Sequence, residues 1–205
     1  VTTAQFLALC ENRHPVTGLR LTPRTKTNRR PGYDCTFNAP KSLTLLYEYT
    51  RDARLLTAFE NAVQATMRDV EQAMRTRVRR QESNTDRPTG NLVYARFTDF
   101  AARPVANGSC DPHLHAHCFV VNATFDPVEQ RWKAGEFAPI LHDRGYFEAL
   151  FHARFAQAVR TLGYDTLRVG KFWEVPGISE ALRAKFSQRT QLIEATAQAL
   201  GITDP

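Results

Sequence analysis

The stretch "DPHLHAHCFVV", residues 111–121, carries a histidine at every second position from 113 to 117. Alternate residues of a β-strand point to one face, so we predict a strand with His113, His115 and His117 on the same face. The residues between them would pack against helices on the other face: Leu114, Ala116, Cys118 and Val120. The pattern is compatible with a polar sheet face without metal, but three imidazoles so close together favour a metal or catalytic site.

A catalytic metal site needs a third ligand and usually keeps a position open for substrate. The candidates are His113 in the same strand, Asp111 just before it, and Asp99 at the end of the preceding segment "VYARFTD". Two histidines with a carboxylate would suit Mg²⁺ or Mn²⁺ in phosphate chemistry, with Zn²⁺ as an alternative. We therefore expect a divalent metal ion, and the spacing leaves its identity open.

Helical and strand-like segments surround this stretch. Apolar residues at three- and four-residue steps predict helices over residues 52–82 and 146–162, with Gly163 as C-cap of the second. Residues 33–38 and 91–100 alternate like strands, and residues 166–177 resemble a hairpin that turns at Gly170–Lys171. This order predicts an α+β fold in which helices pack on an antiparallel β-sheet.

The remaining segments are shorter. We predict a helix within residues 3–14, a basic loop over residues 21–32, and a helix capped by Ser42. The segment "NTDRPTG", residues 84–90, is expected to stop the long helix, and a last helix capped by Ser179 ends before Gly201.

Composition limits the class of protein. The 205 residues suit one domain, and no apolar run approaches the roughly 20 residues that span a bilayer. A net charge of +6 suggests an acidic partner, nucleic acid first. Four cysteines without zinc-knuckle spacing suggest a reducing cytoplasm. The chain begins at Val1, so we expect a fragment or a processed product.

Several segments resemble those of MobF-type conjugative relaxases, the TrwC/TraI family of HUH endonucleases. They stand in the order of the family and extend over residues 6–195, nearly the whole chain. The segments are "FLALCENRHPVTGLRL", "RRPGYDCTFNAPKSLTL", "TGNLVYARF", "DPHLHAHCFVVNATF", "RWKA", "LGYDTLR", "FWEVPGIS" and "KFSQRTQLIEA". The resemblance implies a relaxase-like HUH palm, that is, an antiparallel sheet that presents its site to DNA.

The resemblance also implies a chemistry. Relaxases of this family cut one strand of plasmid DNA at an origin of transfer, through a tyrosine that becomes joined to the 5′ phosphate. A divalent metal held by three histidines polarises the scissile phosphate. By motif position, His115 and His117 match two of these histidines, and Asp34 matches an aspartate that supports a histidine ligand or helps the nucleophile lose its proton.

The chain departs from the family pattern at two points. The third histidine of the family corresponds to Asp99 here, so Asp99 or His113 would complete the site, or the site is weakened. The nucleophilic tyrosines of the family lie upstream of the matched region, and the six tyrosines present do not match them. We therefore expect residues 1–205 to be a single relaxase domain that lacks its N-terminal segment and is inactive alone. A naturally truncated, inactive protein is the other explanation.

The expected partner is single-stranded DNA at an origin of transfer, held in a basic groove, with other relaxosome proteins as further candidates. Two other functions stay open: a relaxase-like module that binds DNA without cutting it, and a different metal-dependent hydrolase. The candidate phosphate contacts are Arg29, Arg30, Lys41, Arg103, Arg131 and Lys133.

Overall fold

The computed structural model of the chain describes residues 2–23, 28–80, 83–106 and 108–202. The helices within these ranges are α1 (Thr3–Cys10), α2 (Lys41–Thr50), α3 (Ala53–Ala73), α4 (Ala138–His142), α5 (Arg144–Thr161), α6 (Glu180–Lys185) and α7 (Gln188–Ala199). The strands are β1 (Gly32–Asn38), β2 (Arg75–Arg80), β3 (Ser83–Pro88), β4 (Tyr94–Ala101), β5 (Pro112–Val121), β6 (Thr124–Asp126), β7 (Arg131–Lys133), β8 (Gly135–Glu136), β9 (Leu167–Val169) and β10 (Phe172–Glu174).

The histidine strand β5 lies between β1 and β4 in a three-stranded sheet. In a second sheet, β2 pairs antiparallel with both β3 and β8. Two antiparallel hairpins, β6–β7 and β9–β10, complete the pairing. The predicted α+β class, with antiparallel strands and packed helices, is confirmed. In the part of the chain that the structure describes, no helix combines the length and apolar character needed to cross a membrane.

The chain folds as two compact units, each built from three segments. The first contains the described residues of Val1–Phe37, Val63–Phe97 and Ala116–Phe151. Its core is formed by the second half of α3 and by β5, with Met67, Met74 and Val120 almost fully buried.

The second unit contains the described residues of Asn38–Ala62, Thr98–His115 and His152–Pro205. Its core joins α2, the first half of α3 and α5. The rings of Phe59 and Phe155, both fully buried, meet edge to face with their centroids 5.5 Å apart.

The long predicted helix is α3, but it ends at Ala73 rather than at residue 82. Residues 75–80 form β2, in which three alternate arginines are exposed while Thr76 and Val78 between them are buried. Val78 continues the four-residue steps of the helix, which is why the pattern misassigned it. Antiparallel pairing with β3 satisfies the backbone hydrogen bonds of this segment. The segment "NTDRPTG", which was predicted to stop the helix, lies mostly in β3.

The predicted cap at Ser42 is wrong, because the N-cap of α2 is Pro40 and the helix begins two residues earlier than predicted. Ser42 is fully buried, and its hydroxyl accepts a hydrogen bond from the Val175 backbone N–H at 2.7 Å. The Ser42 backbone N–H donates to Glu174 Oε2 at 3.0 Å. Glu174, which is distant in sequence, thus accepts a backbone N–H at the start of α2, a role that was expected of the Ser42 side chain.

The last predicted helix is two helices, α6 and α7, although its cap at Ser179 is confirmed by a bond from the Leu182 N–H. The carbonyl of Phe186, at the break, accepts from Lys41 Nζ at 2.9 Å. Asp111 accepts from the side chain of Gln188 at 3.0 Å, at the start of α7. Hydrogen bonds from distant segments therefore stabilise the interruption between α6 and α7.

The other predicted elements are found with adjusted bounds. The first helix ends at Cys10, the hairpin turns at Gly170 as predicted, and α5 ends two residues before Gly163. The predicted strand that starts at His113 breaks at Asn122 into β5 and β6. Of the basic loop, residues 24–27 lie outside the described residues, and those described before Gly32 form neither helix nor strand.

Asp126, at the end of β6, is a fully buried carboxylate in the first unit. Arg87 Nη1 donates to both of its oxygens, at 2.7 and 2.9 Å, and the backbone N–H groups of Val128 and Glu129 donate at 3.0 and 3.2 Å. Burial alone would raise the pKa of Asp126, but the hydrogen bonds from Arg87 and the backbone lower it to about 2. The charged form is therefore the stable one in the folded protein.

We expect the free energy of unfolding to decrease as the pH falls from about 4, the ordinary aspartate pKa, towards 2. A lowered pKa means that the unfolded chain binds more protons, so the stabilising contribution of Asp126 is complete above this range and is lost below it. Urea unfolding at several pH values measures the effect. Asp126→Asn removes the titrating group while the other carboxylates remain, so an equally steep pH dependence in this variant would contradict the assignment.

Candidate functional site

The strand β5 has two distinct faces, as predicted. Leu114, Ala116 and Cys118 are fully buried, whereas the three histidines between and beside them are half-buried. The alternation agrees with the period of two in a strand. The imidazoles therefore share one face of β5.

Asp34 of β1 contacts His117 directly. Its Oδ2 lies 2.6 Å from His117 Nδ1, and the hydroxyl of Thr36 donates to the same carboxylate at 3.3 Å. Because a carboxylate only accepts hydrogen bonds, the Nδ1 of His117 carries a proton. In the neutral ring, Nε2 is then the nitrogen with the lone pair.

His115 and His113 form the second part of this face. Their rings stack with centroids 4.7 Å apart, and His115 Nδ1 lies 2.9 Å from the backbone carbonyl of His113. A carbonyl accepts as well, so His115 is protonated at Nδ1 like His117. His113 Nε2 lies 3.0 Å from Asn38 Oδ1.

The pKa of His113 is lowered to about 4. Burial has the largest effect, the charges of His115 and Lys41 act in the same direction, and the charge of Asp99 opposes them. His113 is therefore neutral at neutral pH, which is the form of histidine that can bind a metal.

Asp99 lies near the end of β4 and is exposed. Its Oδ1 accepts from its own strand, from the backbone N–H groups of Phe100 at 2.7 Å and Ala101 at 3.2 Å. Its effect on the pKa of His113 shows that the two side chains influence each other. Asp99 and His113 both stay candidates for the third ligand.

The donor chemistry of this face fits a metal ion, although the ligands are not assembled. Across the described ranges, no three His, Cys, Asp or Glu side chains are grouped so that they could hold one. Histidines that bind metals commonly donate the other ring N–H to a carboxylate or a carbonyl. His117 and His115 each make such a bond at Nδ1. This arrangement leaves Nε2 as the nitrogen of each ring that is suited to bind an ion.

Sequence reasoning missed two polar neighbours of the histidines, Thr36 and Asn38. Both lie in β1 on the face of Asp34, and each contacts a histidine, His117 and His113 respectively. The signal was present, because Asp34, Thr36 and Asn38 alternate with apolar residues. Only the position of β1 beside β5 gives that alternation a role.

Three predicted phosphate contacts lie near the two ends of β1. Arg29 donates to the carbonyls of Cys10 and Asn122, at 3.3 and 3.2 Å. The guanidinium of the exposed Arg30 lies over the ring of Tyr33, 4.9 Å from its centroid. Lys41, half-buried, donates to backbone carbonyls at 2.8 and 2.9 Å. A phosphate contact by any of them stays a prediction.

The other three predicted contacts differ in their surroundings. Arg103 is exposed, in the loop after β4. Arg131 and Lys133 of β7 both bind the carboxylate of Glu129, at 2.5 and 2.7 Å. Lys133 is mostly buried and also pairs with Asp126 at 3.4 Å, so its charge is neutralised by these two carboxylates. Arg30, Arg103 and Arg131 are exposed, and of these three Arg131 is the one bound to the Glu129 carboxylate.

Comparisons with known proteins identify the family of this chain. The family model described as TrwC relaxase matches residues 1–204. The multifunctional conjugation protein TraI of Escherichia coli is 36% identical over 173 residues, 80% of this chain and 9% of the relative. TraI of strain K12 is 34% identical over 198 residues, 92% of this chain and 11% of the relative. The chain thus spans about a tenth of the length of these relatives.

Solved structures show the same fold. A metal-bound structure of the conjugative relaxase TrwC in complex with OriT DNA has a TM-score of 0.89 and 28% identity, covering all of this chain and 70% of that one. TrwC with a 27-mer DNA comprising the recognition hairpin and the cleavage site has a TM-score of 0.88 and 28% identity, covering all of this chain and 72% of that one. With the family model matched from end to end, the chain belongs to the TrwC relaxase family.

Proposed function

We propose that this chain forms part of a metal-dependent relaxase that nicks one strand of DNA at an origin of transfer and transfers that strand. The observation that carries the proposal is the histidine face of β5, with Asp34 bonded to His117 at 2.6 Å. Family membership supports it, since TrwC has been solved with OriT DNA in metal-bound and copper-bound forms. The natural compartment would be the cytoplasm.

The metal ligands would be His115 and His117, with Asp99 or His113 as the third. Mg²⁺ or Mn²⁺ is the expected ion, and Zn²⁺ is the alternative. A bound divalent ion would supply Lewis-acid polarisation of the scissile phosphate. Asp34 would keep the proton of His117 at Nδ1, so that Nε2 faces the ion, and Asn38 would orient the ring of His113.

The DNA partner would be a single strand that crosses the histidine face. Arg30 and Arg103 are exposed and would contact its phosphates first, and Arg29, Lys41, Arg131 and Lys133 would need to exchange protein partners to do so. Other relaxosome proteins are possible further partners. The nucleophile would be a tyrosine, although none of the six tyrosines of residues 1–205 matches the nucleophilic tyrosines of the family. Residues 1–205 would form one relaxase domain.

A second candidate, a relaxase-like module that binds DNA without cutting it, has one observation in its favour. Asp99 stands where the family resemblance expects a histidine, and the described residues contain no assembled group of three ligands. This module would bind origin DNA equally well with and without a divalent ion.

The test is cleavage of a single-stranded origin oligonucleotide by the full-length protein that contains this chain. With Mg²⁺ or Mn²⁺ we expect a shortened strand and a covalent protein–DNA adduct on a denaturing gel. We expect neither product with EDTA. DNA binding without cleavage under every metal condition would support the binding module instead.

Asp34→Asn tests the support of His117. The amide keeps a hydrogen-bond acceptor but loses the charge, so we expect Mn²⁺ affinity to fall about 10- to 100-fold, as for other partners of metal-bound histidines. Isothermal titration calorimetry measures the loss. Asp86→Asn, an exposed aspartate in β3, is the matched control and should bind like the wild type. Equal affinity of the two variants would remove Asp34 from the site.

A further inference from the structure

A pocket at the edge of the histidine sheet has no role in the proposed metal site. It has a volume of about 420 Å³ and is bounded by Thr2, Thr3 and Phe6 at the start of the chain and by Tyr94, Arg96 and Phe97 of β4. This volume lies in the range of small-molecule sites, about 300–1,000 Å³. Among the residues that the structure describes, β4 is an edge strand of this sheet, which makes the pocket accessible from outside the sheet.

Phe97 is the unusual side chain in this pocket, because it is a large apolar ring in a strand and is still 52% exposed. Its ring meets Phe6 edge to face, with centroids 5.8 Å apart. An exposed aromatic ring that a second aromatic ring holds in place is a rigid stacking surface. It would gain free energy if a flat apolar partner covered it.

The rim of the pocket is basic and polar. Arg96 is exposed, and its charge acts on Tyr94, whose pKa burial raises and Arg96 lowers in part. Arg96 neighbours Phe97 in β4 and points to the opposite face of the strand, so it lines only the rim of the pocket. An aromatic ring with a positive charge at the rim suits a ligand with both a flat ring and a negative charge. A nucleotide of single-stranded DNA has both.

The pocket is connected to the histidine face by aromatic contacts. Phe6 also meets the ring of Phe119, with centroids 5.6 Å apart. Phe119 follows His117 by two residues in β5, so both point to the same face. A strand that passes His117 could thus place a neighbouring base on Phe97 without leaving this surface.

We propose that this pocket stacks one base of single-stranded DNA on Phe97, beside the phosphate at the histidine face, with Arg96 contacting the backbone. The proposal rests on the proposed function and adds a base-binding subsite to it. The net charge of +6 and the solved complexes of TrwC with DNA that includes a cleavage site favour DNA as the occupant.

The experiment measures binding of fluorescein-labelled dT12 by anisotropy. Stacking on an aromatic ring contributes about 1–3 kcal/mol per base, so we expect Phe97→Ala to weaken binding about 10-fold. Tyr49→Ala removes an aromatic side chain that is 90% exposed elsewhere, and it should bind like the wild type. Circular dichroism shows whether each variant is folded.

Phe97→Trp gives a positive signal that does not depend on a loss. It keeps a stacking ring, so dT12 should bind with near wild-type affinity and quench more tryptophan fluorescence than in the wild type. If Phe97→Ala binds like the wild type and the new tryptophan is not quenched, the pocket is not a base site, although the proposed function stands. If the wild type binds neither dT12 nor a single-stranded origin oligonucleotide, the pocket and the DNA-binding function both fail, whereas binding of the origin strand alone overturns only the pocket. If Phe97→Ala does not fold, the quenching result decides alone.

Discussion

Replacing His117 by alanine is expected to weaken Mn²⁺ binding by ~100-fold or more, and His115→Ala should do the same. Changing a residue that merely supports a metal-bound histidine costs about 10- to 100-fold in affinity, so losing the ligand itself should cost at least the upper value. His117 donates from Nδ1 to Asp34, and His115 donates from Nδ1 to the His113 carbonyl. Nε2 is therefore the expected ligating atom of each ring, and the alanine substitution removes it. Calorimetric titration of the purified chain measures the change.

The control for these variants is His142→Ala. The His142 side chain is 87% exposed and pairs with Asp143. His142 ends helix α4 and is not part of β5. It should bind Mn²⁺ like the wild type. His113→Ala and Asp99→Ala then identify the third ligand, because the true ligand should show a loss close to that of His117→Ala. A wild-type affinity in both His115→Ala and His117→Ala would refute the metal site.

Phe155→Ala is expected to lower the free energy of unfolding by about 3–5 kcal/mol, the largest effect on stability that we predict. Phe155 is fully buried in α5, and its ring lies 5.5 Å from Phe59 and 5.4 Å from Trp173, centroid to centroid. Its removal loses apolar burial and leaves a cavity between rings that cannot all move to fill it. Urea unfolding followed by circular dichroism measures the difference.

Tyr146→Ala is the matched control for Phe155→Ala. Tyr146 lies in the same helix, but it is 62% exposed, so its loss should change the free energy of unfolding by about 0.5 kcal/mol or less. A loss below about 1 kcal/mol in Phe155→Ala would mean that the core of the second unit is less tightly packed than these ring contacts indicate.

The secondary structure was predictable where the pattern is local. The strands β1 and β5 and the helix α5 follow directly from the spacing of apolar residues. The boundary between α3 and β2, after Ala73, could not be predicted, because Val78 fits the helical steps and the strand alternation equally well. The partner strand β3 decided between them. Its own sequence, rich in Asn, Asp and Pro, resembles a turn.

The break between α6 and α7 and the start of α2 show the same limit. Lys41 bonds the Phe186 carbonyl 145 residues away, and Glu174 bonds the Ser42 N–H 132 residues away. No window of neighbouring residues contains such information. The same limit applies to the candidate site. The alternation of the histidines could be predicted from the sequence, whereas the roles of Thr36 and Asn38 could not.

By itself, the sequence determined that three imidazoles share one face of a strand whose other face is buried, because the period of two is a property of the extended backbone. It also determined the family, through segments that extend along nearly the whole chain. Only the tertiary structure decided that Asp34 meets His117, 83 residues away. That contact depends on β1 lying next to β5 and on the register between them, and register is set by packing across the whole sheet rather than by either strand.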